Sequence, residues 1–231
     1  MIRAACATIF ATMLFAAAGA QLPTAEAVEA CGSASEQCRQ AVVVEAGRDS
    51  QCDICFMERT DGGEWICRES CRGTVGINGV TPAQLKCEGD GCTPCGTYAL
   101  RRGLWRTADV KTLFPMECYD EGYVWIDDRQ REDYNTLVRG AGAETYAHGE
   151  RLAEVGEPYD YIVVVEYNTC PVVKGAGSAI FLHVWRAEGH PTAGCVAMPA
   201  EAMRRLVGWL DPKACPEVII TARERCCGDG E

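Results

Sequence analysis

The chain has 231 residues, which suits one catalytic domain with short extensions. Its hydrophobic content of 48% supports a packed core and excludes a disordered chain. A net charge of −11 argues against a nucleic-acid partner, because binding phosphates depends on Lys and Arg to neutralise them.

Arg3, the apolar run Ile9 to Ala17 and the small residues Ala18-Gly19-Ala20 read as a signal peptide over residues 1–20. The run is shorter than the roughly 20 apolar residues that cross a bilayer, and no later stretch is long enough. The expectation is a secreted or periplasmic protein without a membrane span. Losing Arg3 leaves 21 basic residues against 33 acidic ones, a net charge of −12. Residues 21–36 read as a short lead-in, 37–222 as the catalytic domain and 223–231 as a tail.

Val42-Val43-Val44, Trp65-Ile66-Cys67, Gly73 to Val80 and Thr97 to Leu100 read as short strands separated by Gly-rich turns. Residues 105–140 look loop-rich, with Trp105, Trp125 and Tyr134-Asn135 as candidate cleft-lining groups. Tyr161 to Tyr167 (YIVVVEY) is apolar and β-branched, as a central strand should be. Ala179 to Val184 (AIFLHV) is a second strong strand, with His183 near its end. Pro199 to Leu210 carries Met203, Leu206, Val207 and Leu210 at helical spacing, and Asp211-Pro212 ends it. Val218 to Ile220 is a last strand, and adjacent Cys226-Cys227 suggest a tail tied down by a bridge. The sum is a mainly β domain with one or two helices.

Cysteine is abundant. There are 16, and Cys6 lies in the signal segment. In an oxidising compartment the remainder pair by default, leaving one thiol over, though parity does not say which. Cys52, Cys55, Cys67, Cys71, Cys87, Cys92 and Cys95 crowd one stretch, and their pairing cannot be read from the sequence. Cys52-x-x-Cys55 and Cys92-x-x-Cys95 also have zinc-ligand or thioredoxin-like spacing, but an oxidising setting favours disulfides.

Chemistry concentrates between His183 and Cys195. A thiol is mostly protonated at neutral pH, and an adjacent imidazole can take that proton. Gly194 permits a sharp turn, and backbone N–H groups around Gly194 and Cys195 could hold an oxyanion. From spacing alone, a bridged cysteine beside a satisfied histidine is the commoner outcome. His190 is a second candidate base, in a Gly-His-Pro surface loop, and His148 reads as solvated. Adjacent Asp127-Asp128 point apart in an extended segment and read as a turn.

The stretch GSAIFLHVWRAEGHPTAGCVAMP resembles the catalytic signature of the YkuD-type L,D-transpeptidases, a His followed by a spacer and Ser/Thr-His-Gly-Cys. His183, Thr192, Gly194 and Cys195 take the matching places. Lys86 to Tyr98 (KCEGDGCTPCGTY), Trp125 to Asp128 with Tyr134-Asn135, and Tyr161 to Asn168 resemble further segments of that family in its order. Ala193 stands in the place of the family's second His, and Val184 where many members carry Gly, so the group that orients His183 is not visible.

The resemblance implies a β-sandwich of mixed sheets with flanking helices. It implies acyl transfer on peptidoglycan stem peptides by a single chain, a monomer, with no cofactor and no metal. Cys195 would be the nucleophile and His183 the base. Gly194, Thr192, Ala193, Ser178 and Tyr167 would serve the oxyanion and the substrate. Two other readings stay open: a binding module with this fold but no turnover, and a disulfide-rich structural or redox protein.

Overall fold

The structure, a computed structural model, describes residues 34–142, 145 and 147–223. The expected signal segment, most of the lead-in, and the tail with Cys226-Cys227 lie outside the described residues.

The order of elements is β1 (Gln40–Ala46), β2 (Gln51–Arg59), β3 (Trp65–Thr74), β4 (Val80–Pro82), β5 (Thr93–Trp105), β6 (Met116–Cys118), β7 (Val124–Ile126), β8 (Leu137–Val138), β9 (Gly149–Arg151), α1 (Leu152–Val155), β10 (Tyr161–Val165), β11 (Phe181–Val184), β12 (Val196–Met198), α2 (Ala200–Trp209) and β13 (Glu217–Ala222). The mainly β character and the mixed sheet match the expectation. β1–β13 and β11–β12 are parallel, whereas β1–β2, β2–β3 and β10–β11 are antiparallel.

The neighbours run β10-β11-β12-β3-β2-β1-β13-β5, and β5 pairs again with β10, which closes the sheet into a ring. β5 makes closure possible by its length. Its Gly96–Ala99 half pairs with β13, and its Leu100–Trp105 half pairs with β10. The expected Thr97–Leu100 strand is the middle of this longer one.

Sequence explains the central elements. All five residues of β10 (YIVVV) are buried, so both of its faces meet apolar neighbours. Alternate side chains then serve two different clusters. Val163, Val165, Leu182 and Val184 join one core with Val42, Val44, Ile54, Phe56 and α2. Ile162, Val164, Phe181 and Cys195 join a second with Trp125, Leu152 and Tyr159. α2 lays Ala202, Met203, Leu206 and Val207 on the first core. Pro199 caps the helix rather than opening it, a one-residue difference at the boundary.

The small sheet β8-β7-β9 and α1 lie over the second core, and β7 and β8 fall in the stretch 105–140 that read as loop-rich. Its strands are two or three residues long, too short for a periodic pattern. Of the expected bridges, Cys55–Cys67 is formed, 12 residues apart across β2 and β3. Among the described residues Cys195 is one of the free thiols, with Cys38, Cys52, Cys71, Cys87 and Cys92. Cys52 and Cys55 face different cores, so they do not form one ligand pair. Among the described residues no helix is long and apolar enough to cross a membrane.

Candidate active site

β11 and β12 run parallel, with Leu182 opposite Val196 and His183 opposite Ala197. Cys195 immediately precedes β12. His183 lies two residues beyond Phe181, on the same face of β11. Both side chains line one pocket of about 560 Å³, and both are nearly buried, at 8% and 7% exposure.

The turn before Cys195 is fixed from outside. Ile77 N–H donates to the Thr192 carbonyl at 2.8 Å, and Thr192 N–H donates to the Val75 carbonyl at 3.0 Å. Gly76 lies between them, and a Cβ there would stand 2.2 Å from the Gly91 carbonyl oxygen. Gly194 has φ +150°, and its Cβ position lies 3.0 Å from the Cys92 carbonyl oxygen. A side chain at Gly76 would collide with backbone, and one at Gly194 would sit tightly against it at a φ that L residues rarely adopt.

Cys195 Sγ donates to the Ala179 carbonyl at 3.2 Å. Ala179 is itself positioned: its N–H donates to Asn135 Oδ1 at 3.1 Å, and Trp125 Nε1 donates to the same oxygen at 2.9 Å. Burial pushes the Cys195 thiol up to about 12; the Glu150 carboxylate adds to this, while the Phe181 N–H and Lys86 oppose it.

His183 Nδ1 lies 2.7 Å from the Val184 carbonyl oxygen. A carbonyl only accepts, so Nδ1 carries the proton and Nε2 is the basic nitrogen. The backbone of Val184 thus orients the ring, a role that no side-chain motif could reveal. The edge of Tyr159 meets the ring at 5.2 Å between centroids. Burial lowers the imidazole to about 4; the Val184 and Pro158 carbonyls favour its charged form, and Arg186 disfavours it. The resting pair is therefore a neutral thiol and a neutral imidazole.

Thr192, Ala193, Gly194 and Ser178 also line the pocket. Gly194 N–H donates to Thr192 Oγ1 at 3.1 Å, so in this state it is engaged within the turn rather than facing the pocket. Ser178 Oγ donates to Glu88 Oε2 at 2.7 Å. Tyr167 does not line the pocket. It is buried, its hydroxyl donates to the Ala176 carbonyl at 2.5 Å, and its ring packs edge-on against Tyr98. The aromatics expected in the cleft sit behind it or elsewhere: Trp125 packs against Phe181, Trp105 is in the first core, and the Tyr134 hydroxyl donates to Glu88.

His190 lies on the exposed rim, with Nδ1 against its neighbour's carbonyl at 2.9 Å. His148 pairs with Asp128 at 3.0 Å, while Asp127 lines the pocket, so the two aspartates do point apart.

Sequence reasoning missed several pocket residues. Glu150 accepts from the Tyr159 hydroxyl at 2.9 Å, and burial raises its carboxyl above the usual range. Lys86, nearly buried, donates to Asp90 Oδ1 at 2.7 Å. Arg186 lines the same pocket. Lys86 and Glu88 fall in a quoted family segment, but Glu150 sits in an unpatterned stretch with no signal.

In the comparisons with known proteins, no curated protein matches the chain significantly. The crystal structure of the helical cell shape determining protein Pgp2 from Campylobacter jejuni aligns with 14% identity and a TM-score of 0.41. The alignment covers 80% of this chain and 49% of that one, so the chain spans about half of Pgp2's length. The profile of the L,D-transpeptidase catalytic domain, YkuD, matches residues 72–220, from the end of β3 through most of β13. That stretch contains both His183 and Cys195, and the chain belongs to the YkuD family of L,D-transpeptidase catalytic domains.

Proposed function

We propose that the protein is a cysteine acyltransferase acting on peptidoglycan stem peptides, with Cys195 as nucleophile and His183 as general base. One observation carries the reading: a free thiol and a neutral imidazole, the latter oriented by the Val184 carbonyl, share one pocket.

Cys195 Sγ attacks the carbonyl carbon that joins an L-centre to D-Ala, and its proton passes to His183 Nε2. The Cys195 N–H stabilises the oxyanion, the Gly194 N–H being spent on Thr192 Oγ1. The tetrahedral species collapses, the carbon–nitrogen bond breaks, and the D-Ala amine takes the proton from His183. The remaining acyl group is held as a thioester. An acceptor amine then attacks the thioester carbonyl and gives its proton to His183; the carbon–sulfur bond breaks, the departing Cys195 sulfur takes the proton back from His183, and the new amide is a cross-link. Water in place of the amine makes the reaction a carboxypeptidation. Because both partners start neutral, proton transfer accompanies attack instead of preceding it. The apolar run at Ile9 to Ala17 supports export to where such peptides lie.

The test is incubation with muropeptides carrying tetrapeptide stems. Wild type should release D-Ala and show an acyl-enzyme mass, and Cys195→Ala should do neither. Binding without either product would overturn the catalytic reading and leave a binding module.

A further inference from the structure

Thr93 opens β5 and is fully buried, at 0% exposure. Its hydroxyl joins two distant segments. Oγ1 accepts from Gly76 N–H at 2.8 Å and donates to the Cys195 carbonyl, 102 residues away, at 3.2 Å. Thr192 makes the mirror arrangement: Oγ1 accepts from Gly194 N–H at 3.1 Å and donates to the same Cys195 carbonyl at 2.7 Å.

The proton directions are forced. Both N–H groups can only donate, so each hydroxyl must spend its single proton on the Cys195 oxygen. That oxygen has two lone pairs, and the two hydroxyls fill them. We propose that Thr93 is a positioning residue for the nucleophile, the barrel-anchored half of a two-hydroxyl clamp on the Cys195 carbonyl. The inference rests on the reading of Cys195 as the nucleophile.

The two halves are not equivalent. Thr192 belongs to the same turn as Cys195 and shifts with it. Thr93 begins β5 in the stretch that pairs with β4, and the same strand runs on from Gly96 into the ring, where it pairs with β13 and β10. It also holds Gly76, whose flanking residues Val75 and Ile77 bond Thr192. Thr93 therefore references both the nucleophile and the turn around it to the rigid sheet. Fixing the Cys195 carbonyl fixes the direction of the Cα–C bond, and so where Cβ and Sγ project into the pocket. A displacement of about 1 Å at a reacting atom costs on the order of 10²-fold in rate.

The test compares Thr93→Val, which keeps shape and removes the hydroxyl, with Thr93→Ser, which keeps the hydroxyl. Three quantities are read: kcat and KM for D-Ala release from tetrapeptide muropeptides, the rate of iodoacetamide alkylation at Cys195 followed by peptide mass, and the melting temperature. Thr93→Val should lower kcat by about 10²-fold with KM within about twofold, and should change the Cys195 alkylation rate. Thr93→Ser should restore both to within about threefold of wild type. A Thr93→Val enzyme with wild-type kcat and alkylation rate overturns the proposal. So does a Thr93→Ser enzyme that melts like wild type yet loses more than about tenfold in kcat, a result readable even if Thr93→Val does not fold. Absence of D-Ala release from wild type would instead sink the catalytic reading, and alkylation at Cys195 would still decide the positioning role.

Discussion

The β2–β3 side of the ring and the β11–β12 side each bury a thiol, Cys52 and Cys195, at 2% and 7% exposure. Burial raises both thiols well above the ordinary cysteine range. What differs is company. The charged and titratable neighbours of Cys52 are Cys71, Asp53, Arg72 and Arg223, none of them an imidazole, and it packs in an apolar core. Cys195 borders a pocket that also holds an oriented, neutral imidazole. A buried thiol is inert by default, and in the proposed function it is the imidazole in the same pocket that makes Cys195 different.

The largest effect should come from exchanging the two thiols' fates. Cys195→Ala should abolish D-Ala release, a loss of at least about 10³-fold by steady-state assay, with little change in melting temperature. Cys52→Ala should keep kcat and lower stability by about 1 kcal/mol in a urea titration. Loss of turnover in Cys52→Ala would break the comparison.

Next in size is the base. His183→Gln should lower kcat by about 10²- to 10⁴-fold, whereas His190→Gln should stay within about threefold. Equal losses would move the base to the rim.

Crowding the turn should cost less. Gly76→Ala places a Cβ against the Gly91 carbonyl, which should destabilise the fold by about 2 kcal/mol and reduce kcat through displacement of Thr192. Thermal melts beside kinetics would separate the two.

The smallest effect is that of pH. With His183 lowered to about 4, the acid limb of kcat/KM for the free enzyme should fall near pH 4, not near 6.5. The folded ring binds its proton later than the unfolded one. Between about 6.5 and 4 the unfolded chain therefore holds more protons, and stability falls as the pH is lowered through that window. His183→Gln should flatten that part of the stability curve. At the other end, the raised Cys195 thiol makes the folded state keep a proton that the unfolded chain loses from about pH 9 upward, so stability falls again there.

Much of this was legible in the sequence, for physical reasons. YIVVV has no polar residue to face water, so a central strand was the consistent reading, and Met203, Leu206 and Val207 fall on one helical stripe. His183 and Cys195 pair in the sequence through the resemblance to the family signature, since spacing alone favours a bridged cysteine; the parallel strands β11 and β12 place both at one pocket. What stayed hidden is of two kinds. The group orienting His183 is a backbone carbonyl, which every residue has, so Val184 carried no signal. Nothing local marks Glu150, a glutamate in a three-residue strand, and although Thr93 lies in the quoted Lys86–Tyr98 segment, its bonds to Gly76 and Cys195 join residues that are distant in the chain. Tyr167 misled because a strand end near the site can still turn its side chain inward, here toward the Ala176 carbonyl.

The ring has one more consequence, for how the chain is made. β1 is seated between β2 and β13, so the first strand of the ring is flanked by the last, Ala41 against Glu217. Until the ribosome releases that final strand, β1 and β5 both present an unpaired edge, and each is a template for another chain. Long-range closure of this kind folds slowly. A stop codon just before Glu217 should thus yield aggregated chains, although every residue of the pocket would already have been synthesised.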